Sequence, residues 1–182
     1  MRTLFAIMLC SLSAAVLADR VAYQGVRDIR VEAGGTVAEH HHDWRTREAN
    51  VRLSDSASGT ELLRTGSPPL TLLWLSPDGR FLVGFSEILI ANPTQLFVVS
   101  RDGSQAYRER VRCNDRRFAQ TNCGETVTNF VHWYNAADPS IELSVSEGRP
   151  VAVSFNAPLP IDCPGAGAER CRSRRVTLPL SE

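Results

Sequence analysis

The 182-residue sequence carries 20 basic residues, every one an arginine, against 20 acidic ones. A chain without net charge lacks the basic surface that phosphate recognition demands, which argues against nucleic acid as a partner. Its length suits one domain with a genuine core; the missing lysine reads either as a GC-rich bacterial genome or as selection for bidentate carboxylate recognition by arginine.

Residues 1–18 read as an export signal. Arg2 supplies the positive start, Leu4-Phe5-Ala6-Ile7-Met8-Leu9-Cys10 opens the apolar run, and Val16-Leu17-Ala18 offers the small residues of a cleavage site, with Asp19 as the mature start. The run is too short to span a bilayer comfortably. Leu9 is too large for the position before a lipoprotein cysteine, and Pro93 blocks the single sequon-like Asn92-Pro93-Thr94. The expectation is a bacterial periplasmic or secreted protein, residues 19–182 forming one domain with no membrane span.

Period-2 patterns and short apolar runs dominate beyond that point. Residues 21–32 form a first strand region with Val26, Ile29 and Val31 apolar, ended by Gly34-Gly35; residues 49–53 form a second. Residues 55–59 are small and polar, hence a loop, and Gly66-Ser67-Pro68-Pro69 is a break. Residues 70–75 read as a buried strand, Ser76-Pro77-Asp78-Gly79 as a turn in which Pro sets φ and Gly accepts φ > 0, and residues 80–86 as a strand alternating Phe81, Val83 and Phe85. Residues 87–91 stay apolar to Asn92-Pro93. Residues 95–100 and 105–113 flank a second turn, Arg101-Asp102-Gly103-Ser104, completing a meander. Further strands follow at residues 125–134, 141–145, 151–155 and 175–180, with turns at Asp138-Pro139-Ser140 and Glu147-Gly148. The fold expected is all-β, one domain of about nine or ten short antiparallel strands arranged as a sandwich, barrel or degenerate propeller.

The cysteines left after cleavage, Cys113, Cys123, Cys163 and Cys171, read as two disulfides in an exported chain. Of three possible connectivities, the local pairing Cys113–Cys123 and Cys163–Cys171 is chosen because each pair flanks a polar, irregular stretch. Closing a loop of about ten residues stabilises by roughly 2–3 kcal/mol in the chain-entropy account. Zinc fits poorly, since no C-x-x-C occurs.

The segment from Trp74 to Phe85 (Trp-Leu-Ser-Pro-Asp-Gly-Arg-Phe-Leu-Val-Gly-Phe), followed by Gln95 to Gly103, resembles one blade of a TolB- or WD-like β-propeller. The resemblance covers about thirty residues, and a full propeller needs four or more blades. In size, compartment and texture the chain is similar to small periplasmic immunity proteins, which implies a partner in a toxin delivered by a rival bacterium.

Glu39-His40-His41-His42-Asp43 is the densest polar cluster. In an extended chain His40 and His42 point the same way and, with Asp43, offer metal ligands. An exposed polar loop and a pH-sensitive contact surface are the other readings. His132 sits between Val131 and Trp133 without a sequence-visible catalytic partner. Gly84-Phe85-Ser86-Glu87 lacks the second glycine of a nucleophile elbow. Arg108, Arg110 and Arg112 share one face at period two, and Arg116 and Arg117 follow. They form either a solvated edge or a basic patch for an acidic protein, with Trp44, Trp133 and Tyr134 as anchors and Trp74 assigned to the core. The function expected is a non-enzymatic, cofactor-free protein that occludes a toxin or cell-wall hydrolase through the 40–47 loop, the 114–122 loop and the arginine row. A metal-dependent site or enzyme around His40 and His42, or an envelope structural or carrier role, is the alternative.

Overall fold

The computed structural model describes residues 26–86, 94–111, 133–158 and 173–181. Among them every regular element is a strand, in three antiparallel sheets. The first sheet is the meander β1 (Val26–Ala33), β2 (Thr36–Asp43), β3 (Glu48–Asp55) and β4 (Glu61–Gly66). The second is the meander β5 (Leu72–Leu75), β6 (Phe81–Phe85), β7 (Leu96–Ser100) and β8 (Ala106–Glu109). The third is β9 (Glu142–Ser146), β10 (Arg149–Asn156) and β11 (Arg175–Pro179), with β10 in the middle. No helix among the described residues is long and apolar enough to cross a membrane.

Side-chain pattern decides which sheet is central. Strands β6 and β7 are buried at every position, as continuous apolar runs require when both faces of a sheet are covered. One face of this second sheet gives Leu73, Leu75, Leu82, Phe97 and Val99 to a core shared with Ala38, Val51 and Leu53 of the first sheet and Leu70 of the linker. The other face gives Val83, Phe85, Leu96 and Val98 to a core shared with Val153, Phe155, Val176 and Leu178 of the third. Phe85 lies 5.0 Å from Trp133, 5.1 Å from Tyr134 and 5.5 Å from Phe155 between ring centroids, the tilted and edge-on geometries aromatic rings prefer. The outer sheets bury one face each and alternate, as in the exposed–buried repeat of β11.

The second sheet repeats one turn. Ser76 Oγ donates to Asp78 Oδ1 (2.5 Å) and accepts from Phe81 N (3.0 Å); Ser100 Oγ donates to Asp102 Oδ1 (2.6 Å) and accepts from Gln105 N (3.0 Å). Each serine carbonyl also accepts from the glycine three residues on, Gly79 at 2.8 Å and Gly103 at 2.9 Å. The hydroxyl–carboxylate pair satisfies amides the turn leaves outside the ladder, as short polar side chains do in tight turns. The Asp102 carboxyl is held down at about 2, first by the Ser100 hydroxyl and then by the Ser104 amide.

The first two sheets interlock at their turns. Thr36 Oγ1 donates to Gly79 O at 3.0 Å. A Cβ on Gly34 would lie 2.2 Å from Asp78 C and Gly79 N, and Gly34 has φ 53°. Only glycine meets both demands.

The histidine segment differs from the expectation of a loop. It is strand β2, paired through its whole length with β1 and β3. Its inward positions, Ala38, His40 and His42, carry no strong apolar signal, so period-2 hydrophobicity is invisible there. Strand β4 was likewise unforeseen, because only Leu62 and Leu63 break its polarity and Leu62 is exposed.

Candidate functional site

The alternation of β2 sorts the histidine cluster. His40 and His42 face inward and are 1% and 3% exposed. Glu39 and His41 face outward. Asp43 Oδ1 accepts from Arg45 N at 2.8 Å. The three proposed metal ligands therefore do not converge, and no group of three His, Cys, Asp or Glu among the described residues is placed to hold a metal ion.

The outer face of the first sheet carries a charged lattice instead. Strand register aligns Arg30, Glu39, Arg52 and Arg64 in one row across β1 to β4. Glu39 accepts from Arg30 Nη1 (2.9 Å) and Arg52 Nη1 (3.4 Å). Glu61 accepts from Arg52 Nε (3.0 Å) and Arg64 Nη2 (2.8 Å). These arginines pull the Glu61 carboxyl below its ordinary range, Arg64 most strongly. One step along the strands His41 Nδ1 meets Asp28 Oδ1 at 2.8 Å. The two rows, with Asn50, line a groove of about 490 Å³. A strand places these side chains on one surface only because its period is two; the signal was present in Arg30, Glu39, Arg52 and Arg64, but it needed the pairing register to be seen.

Arg108 is exposed on the edge strand β8, and its side chain is tied down there. It lies in the row Leu73, Gly84, Phe97, Arg108, its guanidinium carbon 5.1 Å from the Phe97 ring centroid and Nη2 donating to Gly66 O at 2.8 Å. It closes the rim of the core between the first and second sheets. Arg110 is exposed just past the end of β8. Trp133 and Tyr134, read as binding anchors, are core residues at 0% and 3% exposure; Trp133 Nε1 donates to Ser86 O at 2.5 Å and Tyr134 shares a 2.9 Å hydrogen bond with Thr71. Trp44 is half-buried, edge-on to His42 with centroids 4.1 Å apart. Trp74 packs, half-buried, on the core between the second and third sheets. Arg112, Arg116, Arg117, His132, Glu87 and the four cysteines Cys113, Cys123, Cys163 and Cys171 lie outside the described residues.

Comparison with known proteins adds no family. No protein-family model matches the chain, and no curated protein matches it. A solved structure described as the crystal structure of the eukaryotic initiation factor is similar at 14% identity with a TM-score of 0.38, over 86% of this chain and 41% of that one. This chain thus spans less than half of that protein's length, and at that score the likeness carries no argument.

Proposed function

We propose that this chain is an exported, non-enzymatic protein-binding domain of the immunity or inhibitor type, which occludes a toxin or cell-wall hydrolase in the periplasm. The observation that carries the reading is the groove on the outer face of the first sheet, where Arg30, Arg52 and Arg64 stand in register with their guanidinium groups already oriented by Glu39 and Glu61. Arginine is enriched at binding hot spots, and groups held in their bound geometry lose little side-chain entropy on association. A rigid, polar, slightly concave sheet face suits a polar cleft on a partner. The reading also keeps, as proposals, a contribution of Arg110 and Arg112 to partner contact and the disulfides Cys113–Cys123 and Cys163–Cys171. The repeated Ser-x-Asp-Gly turns and the sequential strand order support reading the second sheet as a propeller-type blade, and the whole as a degenerate, three-sheet relative of that architecture.

The metal-dependent alternative loses ground because β2 turns Asp43 away from His40 and His42. The test is capture from envelope extract with the mature chain, beside a variant with Arg30, Arg52 and Arg64 all changed to Ala. The expected result is one toxin or hydrolase, its activity lost on adding an equivalent of the chain, and at least tenfold weaker capture by the variant. Capture of abundant housekeeping proteins alone, or capture unaffected by the triple change, would sink the reading.

A further inference from the structure

The linker from β4 to β5, residues 67–71, is tied to both sheets it joins. On the second-sheet side Ser86 Oγ donates to Pro69 O (2.5 Å), and the Leu70 side chain fills the space that Gly84 leaves open. On the first-sheet side Ser67 N donates to Ala49 O at 3.1 Å, and a single imidazole holds the rest. Nε2 of His40 lies 3.2 Å from Leu70 N and 3.3 Å from Pro68 O. One ring nitrogen cannot serve both. With the ring neutral and its proton on Nδ1, Nε2 accepts the Leu70 N–H. With the ring protonated, Nε2–H turns to the Pro68 carbonyl and the Leu70 amide loses its acceptor.

The Pro68 carbonyl favours the protonated ring, but burial outweighs it. His40 Nδ1 and His42 Nδ1 are both buried and have no hydrogen-bond partner among the described residues. The two rings lie 6.3 Å apart. Arg27 on β1 and His41 on β2 lower both values further, and the Asp43 carboxylate is the opposing charge, acting on His42. On β3 the inward neighbours are Val51 and Ala49, on β4 Thr65, and the linker itself holds no ionisable side chain.

We propose that His40 is an acid-sensitive latch: proton uptake releases the Leu70 amide from β2 and loosens the first sheet, with its charged outer face, from the second. The inference does not depend on what that face binds. Burial above all holds the His40 pKa at about 4 in the latched state, against an ordinary value of 6.5. An opened linker in which His40 regains its ordinary value is favoured by about twentyfold on going from pH 7 to pH 5.

The experiment is hydrogen exchange by NMR on the intact chain and on His40→Gln, with rates corrected for intrinsic pH dependence. The Gln amide can accept from Leu70 and donate to Pro68 at either pH. Protection of the Leu70 amide should fall about twentyfold in the parent chain and stay flat in His40→Gln, and at each pH it should lie well below that of Val98 in β7, which opens only with global unfolding. Equal protection of Leu70 and Val98 at both pH values would show that Leu70 opens only by global unfolding and overturn the latch, as would the same fall in His40→Gln. Should that variant not fold, the parent chain decides: loss of Leu70 protection should track titration of the His40 ring followed by NMR, and a loss that does not track it overturns the latch.

Discussion

A glycine in the middle of a fully buried strand is a poor choice unless something occupies the space of its side chain. Gly84 stands in β6 opposite Leu73 and Phe97, and a Cβ there would lie 2.5 Å from Leu70 Cδ1 and 2.9 Å from Cδ2. Gly84→Ala should gain about 0.5–1 kcal/mol from the less flexible unfolded chain and lose about 1–3 kcal/mol to overpacking, for a net loss of about 1–2 kcal/mol. Leu70→Ala alone, at a fully buried site, should cost about 2–5 kcal/mol. The double variant removes the clash and lets the new methyl enter the vacated space, so it should be no less stable than Leu70→Ala. The coupling is then at least about 1 kcal/mol, read from urea midpoints at constant m-value. Additivity within about 0.5 kcal/mol would mean that Leu70 and Gly84 do not share that space, and the packing of the linker would have to be redrawn.

Other outcomes follow from the same geometry. Gly34→Ala and Gly35→Ala both place a side chain at positive φ, but a Cβ on Gly35 meets nothing within 4 Å while one on Gly34 strikes the Asp78–Gly79 backbone; denaturation should show about 1–2 kcal/mol for Gly35 and clearly more for Gly34. Ser76→Ala strands the Phe81 amide and removes the Asp78 hydroxyl partner, which should cost about 1–2 kcal/mol in the same assay. Because the folded state holds His40 near 4 and the unfolded chain near 6.5, its contribution is complete above pH 6.5 and lost as pH falls toward 4; the parent chain should lose about 2 kcal/mol between pH 7 and pH 5 that His40→Gln retains. Arg52→Ala removes partly exposed ion pairs and should change stability by no more than about 1 kcal/mol, which leaves its effect on partner capture interpretable. Native mature protein should react with no thiol reagent until denatured and reduced, if both disulfides form.

Legibility in the sequence followed the apolar signal. The turns at Ser76–Gly79 and Arg101–Ser104, and the strands around them, were readable because Pro, Asp and Gly punctuate continuous apolar runs. The Glu147-Gly148 hairpin was readable for the same reason, and both residues do take positive φ. Strand β2 was not readable, because the groups it buries are two imidazoles and small side chains. The groove was hidden for another reason: its residues are separated by up to 36 positions in sequence, from Asp28 to Arg64, and only register brings them into rows. Tyr134 and Trp133 misled because aromatic residues beside histidine look alike at a hot spot and in a core; their hydrogen bonds to Thr71 and Ser86 decide for the core.

The two roles assigned to β2 constrain one another through its period. A slip of one residue against β1 and β3 would turn Glu39 and His41 inward, against Val51 and Leu53, and carry Ala38, His40 and His42 out. Burying Glu39 away from Arg30 and Arg52 would strand a carboxylate in an apolar layer, at a cost of several kcal/mol. The charged lattice therefore fixes the register that keeps His40 against the linker, although each of its exposed ion pairs is weak by itself. Charge on the outer face selects the alignment; the inner imidazole then sets how that alignment responds to acid. Replacing Glu39 with Gln tests the point, since it weakens the lattice without filling the core: register and the His40–Leu70 contact should survive one such change, and the slipped arrangement should become detectable only when Arg30 and Arg52 are neutralised as well.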